Sequence, residues 1–296
     1  MRHTRFTFVE TRQTETVRRV KIALAVAAAA ATALSTQAVL AAPMQRPRPS
    51  VFAARAANEV STNWAGYAVS STTSGRRFTS VTGRWVQPAA TCNSGETYSA
   101  FWVGLGGFSR SAFAVEQTGT QANCELGRPI YVAWFELFPA PPVNLRMSVR
   151  PGDLVSATVT VNRTVVLVRL KNVTANKLFT KRLRMKRADL SSAEWIAEAP
   201  TGCDYLGNCT TLPLTNFGTI DFTHGTTAVA GHRGRISDTR WNATAIELHG
   251  DLADPVHPTQ AGANALPGAL GGDGGSFRVS WQDLTPPPPP PPPPGP

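Results

Sequence analysis

Asp153-Leu154-Val155-Ser156-Ala157-Thr158-Val159-Thr160-Val161 alternates apolar and polar side chains, and Thr164-Val165-Val166-Leu167-Val168-Arg169-Leu170 repeats the pattern. A period of two sends one set of side chains into a core and the other outward, as a half-buried strand requires and a 3.6-residue helix does not. Pro129 to Phe138, Ala112 to Thr118, Thr97 to Leu105 and Ser276 to Trp281 are equally rich in β-branched or aromatic residues and are bounded by Gly, Pro or Asn. Only Ala188 to Ala193 reads as a helical turn. Many short strands with Gly and Pro punctuation predict an all-β chain, an antiparallel sandwich or a barrel.

The 296 residues suffice for one or two domains with their own core. The formal net charge of +10 suggests nucleic acid, but its distribution argues against that partner. Arg2, Arg5, Arg12, Arg18, Arg19 and Lys21 against Glu10 and Glu15 give +4, and Arg46, Arg48 and Arg55 add +3. From Ala56 onward only 10 − 4 − 3 = +3 is left. Ile22 to Leu40 is uncharged, Ala-rich, preceded by basic residues and followed by Ala41-Ala42-Pro43, so residues 1–41 read as a cleaved signal peptide of an exported protein. No later segment is apolar enough to span a bilayer, so no stable membrane association is expected after cleavage. Residues 42–60 read as a Pro- and Arg-bearing leader to be removed, with the mature chain starting between Pro43 and Ser61. Residues 61–283 form the folded domain, and residues 284–296 a tail with nine consecutive prolines, Pro286 to Pro294. The chain is expected to act as a monomer.

Four cysteines, Cys92, Cys124, Cys203 and Cys209, fall in the exported part. An even count in an oxidising compartment reads as two disulfides. Their separations favour Cys92–Cys124 and Cys203–Cys209 among three pairings, and zinc is disfavoured because no Cys-x-x-Cys pair exists.

Most familiar catalytic arrangements are missing. There is no His-Glu-x-x-His, and Gly107-Phe108-Ser109-Arg110-Ser111 lacks the second glycine of a nucleophile elbow. Asp238-Thr239-Arg240 lacks the glycine of an aspartic-peptidase motif, and no paired glycines sit at a strand–helix junction to hold phosphate. What is left is carboxylates and amides on strands beside tryptophans. Alternation puts Val132, Trp134, Glu136 and Phe138 on one face, Gln117 with Val115 and Phe113, and Glu194 with Ile196 and Glu198. A Glu or Gln on an apolar strand face needs a partner when buried. The basic run Lys177, Lys181, Arg182, Arg184, Lys186 and Arg187 reads as a solvated strand-and-turn surface, with an anionic-polymer patch as the alternative.

At these residues the sequence resembles the glutamic peptidases, or eqolisins. The carriers are Asn63-Trp64-Ala65-Gly66-Tyr67, Gly83-Arg84-Trp85-Val86-Gln87-Pro88, Phe101-Trp102-Val103-Gly104-Leu105, Glu116-Gln117-Thr118-Gly119, Tyr131 to Pro139, Ala193-Glu194-Trp195-Ile196-Ala197-Glu198 and Ser276 to Trp281. Each is weak alone; seven in the family's order span nearly all of residues 61–283. The resemblance implies two seven-stranded antiparallel sheets in a lectin-like, concanavalin A-like sandwich with a groove across one curved face. It also implies secreted endopeptidases that work in acid on polypeptides, without metal or cofactor, through a Gln–Glu dyad. By motif match the dyad is Gln117 and Glu198, with Glu194 as fallback. Trp64, Trp102 and Glu136 match cleft residues, and Phe138 and Glu194 are expected beside them. Cys203 matches a family disulfide position. Gly106 and Gln121 stand where family members often carry Asp.

The chemistry of the two side chains suits peptide hydrolysis. An ionised Glu198 accepts a proton from water and returns it to the leaving amine. The Gln117 amide donates to the oxyanion, worth about 3 kcal/mol. The rival readings are a lectin-like polysaccharide-binding module and an inactive peptidase homologue; the presence of both Gln117 and Glu198 favours the enzyme.

Overall fold

The computed structural model describes residues 57–72, 75–93, 95–109, 112–204, 206, 208–250 and 262–283. The expected signal segment at 1–41, residues 42–56 of the leader and the polyproline tail at 284–296 lie outside the described residues. No helix occurs among the described residues; Ser192 and Ala193, expected in a helical turn, open a strand instead. The cross-strand bonds on both sides of this segment override the weak helical preference of its small residues.

The strands form two facing layers. The first runs β10 (Lys177–Arg184), β9 (Val165–Asn172), β8 (Leu154–Asn162), β3 (Phe78–Val86), β14 (Thr219–Val229) and β18 (Phe277–Asp283), with β15 (His232–Arg235) also on β14. The second runs β17 (Ala263–Pro267), β16 (Trp241–His249), β2 (Trp64–Ser71), β11 (Ser192–Glu198), β4 (Ala100–Leu105), β5 (Val115–Glu125), β6 (Arg128–Phe138) and β7 (Val143–Asn144). The layers are not two separate seven-stranded sheets, because β17 pairs with β16 on one side and β18 on the other and so closes one edge. β1 (Ala57–Ser61) lies parallel to β16, so the paired structure begins four residues before Ser61 and draws the end of the expected leader into the fold. A separate hairpin joins β12 (Thr201–Cys203) to β13 (Cys209–Thr211).

The core between the layers follows the alternation of residues 153–170. Val155, Ala157, Val159 and Val161 with Val166, Val168 and Leu170 are buried against Phe101, Val103, Leu105 and Trp195. Two indole bonds tie the layers in register: Trp85 Nε1 donates to Thr120 Oγ1 at 3.0 Å, and Trp195 Nε1 to the Thr82 carbonyl at 2.8 Å. Satisfying these donors removes the main cost of burying two tryptophans.

A second, smaller apolar cluster covers the other face of the second layer: Trp64, Ala68, Ala100, Trp102, Val115, Trp134, Ile196 and Ile246. The central strands β4 and β11 are therefore buried on both faces, and polar side chains on that outer face are buried as well. The disulfides are Cys92–Cys124 and Cys203–Cys209, the pairing favoured by their separations.

Candidate active site

Antiparallel register sets the outer face of the second layer into rows. Trp64, Glu198, Ala100, Gln121 and Val132 are cross-strand neighbours. Two residues further along each strand come Gly66, Ile196, Trp102, Gly119 and Trp134, and then Ala68, Glu194, Gly104, Gln117 and Glu136. Two of the three glycines in these rows make room for Trp102. A Cβ at Gly104 would press on the Trp102 ring at 2.9 Å, and one at Gly119 would collide with the Phe101 carbonyl and meet Trp102 Cβ at 2.7 Å. The Trp-Val-Gly and Gln-Thr-Gly motifs are thus steric halves of one arrangement that seats Trp102 between Gln117 and Glu198.

Three N–H donors hold Glu198. Trp102 Nε1 donates to Oε2 at 2.7 Å, while Trp64 Nε1 and Asn63 Nδ2 donate to Oε1 at 3.2 and 3.3 Å. Ser61 positions two of these donors, its Oγ accepting from the backbone N–H of Asn63 and of Trp64. Gln117 Nε2 donates to Glu136 Oε2 at 2.7 Å. Burial raises the pKa of both carboxyls; the indole donors offset part of this for Glu198, whereas the neighbouring Glu198 charge adds to it for Glu136.

Gln117, Glu136 and Glu198 meet in one cavity, whose other walls are Ala100, Gln121, Trp134 and Thr201. Its volume of about 20 Å³ is the size that takes one water molecule. Thr201 begins the β12–β13 hairpin that the Cys203–Cys209 bond closes, so this disulfide braces a cavity wall.

The sequence profile of the Peptidase A4 family matches residues 62–256. The chain belongs to that family. It is therefore a hydrolase of the glutamic peptidase type, acting on polypeptides. Solved eqolisins share its fold at low identity. Scytalido-glutamic peptidase, solved with a transition-state analogue inhibitor, is 21% identical with a TM-score of 0.60, covering 74% of this chain and 98% of that one. SCP-B, an eqolisin solved with the tripeptide Ala-Ile-His, is 20% identical with a TM-score of 0.56, covering 74% and 98%. Aspergilloglutamic peptidase from Aspergillus niger is 22% identical with a TM-score of 0.50, covering 62% and 99%. No curated protein sequence matches the chain significantly.

Of the residues singled out in the sequence, this Peptidase A4 member brings Gln117, Glu136, Glu198, Trp64 and Trp102 together. Phe138 packs, half-buried, at the margin of the Trp64–Trp102 cluster. Glu194 is not part of the cavity. It is wholly buried two rows from Glu198, where burial and the Asp189 and Glu116 carboxyls raise its pKa against the opposing effect of Ser192. Sequence reasoning passed over Asn63 and Thr201 as site residues and gave Trp134 no role. The position of Asn63 directly before Trp64 was the available signal; nothing in the sequence marked Thr201, which reaches the cavity through the turn after Glu198.

Proposed function

We propose that this Peptidase A4 member is a secreted acid endopeptidase whose hydrolytic pair is Gln117 and Glu198. The cavity they share with Glu136 carries the reading, because it places an acceptor, an amide donor and room for one water side by side. Export is supported by the two disulfides and by the signal-like segment at 1–41. The mature protein is a monomer without stable membrane or nucleic-acid association, its leader removed upstream of the β1 strand that pairs with β16 and its domain ending before the polyproline tail.

Two buried carboxyls facing one cavity titrate as a pair and keep one proton over a wide range. Glu198 receives three N–H bonds and Glu136 one, so the first negative charge settles on Glu198 and the retained proton on Glu136. Glu198 then takes a proton from water as the water oxygen bonds to the carbonyl carbon. The Gln117 NH2, oriented by Glu136, donates to the oxyanion. Collapse of the tetrahedral intermediate breaks the C–N bond as Glu198 returns the proton to the amine nitrogen, leaving an acid and an amine. Loss of the Glu136 proton at higher pH places two charges in the cavity and ends activity, which gives the reaction an upper pH limit.

Cleavage of an internally quenched peptide between about pH 2 and pH 7 tests the reading. Gln117→Ala should lose about 100-fold or more in kcat/KM with an unchanged melting temperature. Full activity of that variant would remove Gln117 from the mechanism. Binding of neutral polysaccharide in the cleft without any peptide cleavage would favour the rival lectin-like reading.

A further inference from the structure

The first layer turns its outer face away from the cavity of Gln117 and Glu198, and over residues 150–187 that face is strongly cationic. Residues 150–187 hold ten Lys and Arg against a single carboxylate, Asp153. Asp153 is already engaged by Asn172 Nδ2 at 2.7 Å and the Arg150 N–H at 2.9 Å.

Register places the cations. Arg84, Ser156 and Lys171 form one outward row across β3, β8 and β9. The next row is Thr82, Thr158, Arg169 and Thr180; the next is Ser80, Thr160, Leu167 and Arg182; Arg184 lies beyond. Strand geometry separates successive cations by about 7–10 Å along a diagonal of the sheet. Among the described residues, Arg84, Arg169, Lys171, Arg182 and Arg184 enter no ion pair. A shallow crevice of about 320 Å³ lies between Arg163 and Arg182, walled also by Asn162, Thr164 and Val165, so two guanidinium groups flank it.

We propose that this face binds a linear anionic polysaccharide. The inference goes beyond the peptidase reading and does not depend on it. Cations, four of them guanidinium groups, recurring about every 7–10 Å suit carboxylates recurring along an extended chain. The hydroxyls of Ser80, Ser156, Thr158, Thr160 and Thr180 between them both donate and accept, as sugar hydroxyls require. The outward positions of β3, β8, β9 and β10 carry no aromatic ring. Base stacking therefore has no platform. A broad flat sheet also does not enter a duplex groove, which admits a helix or a two-stranded ribbon. Because the cavity of Gln117 and Glu198 lies on the outer side of the other layer, a polymer bound here does not cover it and concentrates the peptidase on the polymer.

The test is titration of the purified, folded full chain with polygalacturonate near pH 6, where its carboxyls are ionised, with dextran, single-stranded DNA and anionic phospholipid vesicles in parallel. Polygalacturonate should bind, weaken steeply with salt and outcompete the other three. The variant Arg169→Thr/Arg182→Thr/Arg184→Thr keeps strand preference and should bind at least about tenfold more weakly at low salt, with unchanged hydrolysis of a short peptide. If the triple variant does not fold, Arg169→Thr and Arg184→Thr should each weaken binding by a smaller factor. Salt-insensitive or absent binding of polygalacturonate, equal binding by the variants, or tighter binding of DNA or vesicles would overturn the proposal.

Discussion

The indole N–H of Trp102 donates to Glu198 Oε2 at 2.7 Å, the shortest of the three bonds that hold this carboxylate. The two residues sit on neighbouring strands, one row apart on the same face. A donor fixed by the sheet thus favours the charged form of a carboxyl that burial pushes toward its neutral form.

Trp102→Phe keeps the ring and removes that donor. A hydrogen bond to a charged group is worth about 1.5–3 kcal/mol, so kcat/KM should fall about 10- to 100-fold. The pKa of Glu198 should rise, moving the acid limb of the pH profile upward. An unshifted limb with normal activity would show that Trp102 only fills space.

Stability should decline from acid toward neutral pH. Burial, reinforced by the Asp189 charge, pushes Glu116 up to about 9 from an ordinary 4.5, and nearby Arg77 offsets only part of this. Glu194 is also raised. A fold that binds these protons more tightly than the unfolded chain is fully stabilised below about pH 4.5 and loses that contribution as pH rises toward 9. Glu116→Gln removes one titration and should flatten the melting temperature between about pH 5 and pH 8. Parallel curves for the variant and the parent would contradict the role given to Glu116.

The Cys203–Cys209 bond should matter for activity and stability together, since its hairpin supplies Thr201 to the cavity. Cys203→Ser/Cys209→Ser should lose about 2–3 kcal/mol in denaturant unfolding and show a higher KM. Loss of stability with unaltered kinetics would separate the hairpin from the site.

The strands of residues 153–170 were legible because one face is buried and the other wet, which writes a period of two into the sequence. The candidate site was legible only through seven ordered motifs. On β4 and β11 both faces are buried, so alternation vanishes and no pattern distinguishes cleft from core. Glu194 and Glu198 project from one strand face and look equivalent in sequence. They differ because Trp64 and Asn63, 134 and 135 residues away, reach Glu198 alone. The Ala57–Ser61 strand escaped notice because its stability comes from a distant partner, β16, and not from its own composition. The cationic face was visible as a basic run, but its coherence depended on Arg84 and Arg169 from other strands.

The most direct measurement is kcat/KM on an acid-cleaved peptide for Glu198→Gln and Glu194→Gln side by side. Glu198→Gln preserves size and loses the proton exchange, so it should fall at least about 100-fold at every pH while remaining folded. Glu194→Gln, outside the cavity, should retain activity within a few fold and change chiefly the pH dependence of stability. Near-normal hydrolysis by Glu198→Gln, with Glu194→Gln inactive but folded, would contradict the assignment and move the catalytic role to Glu194.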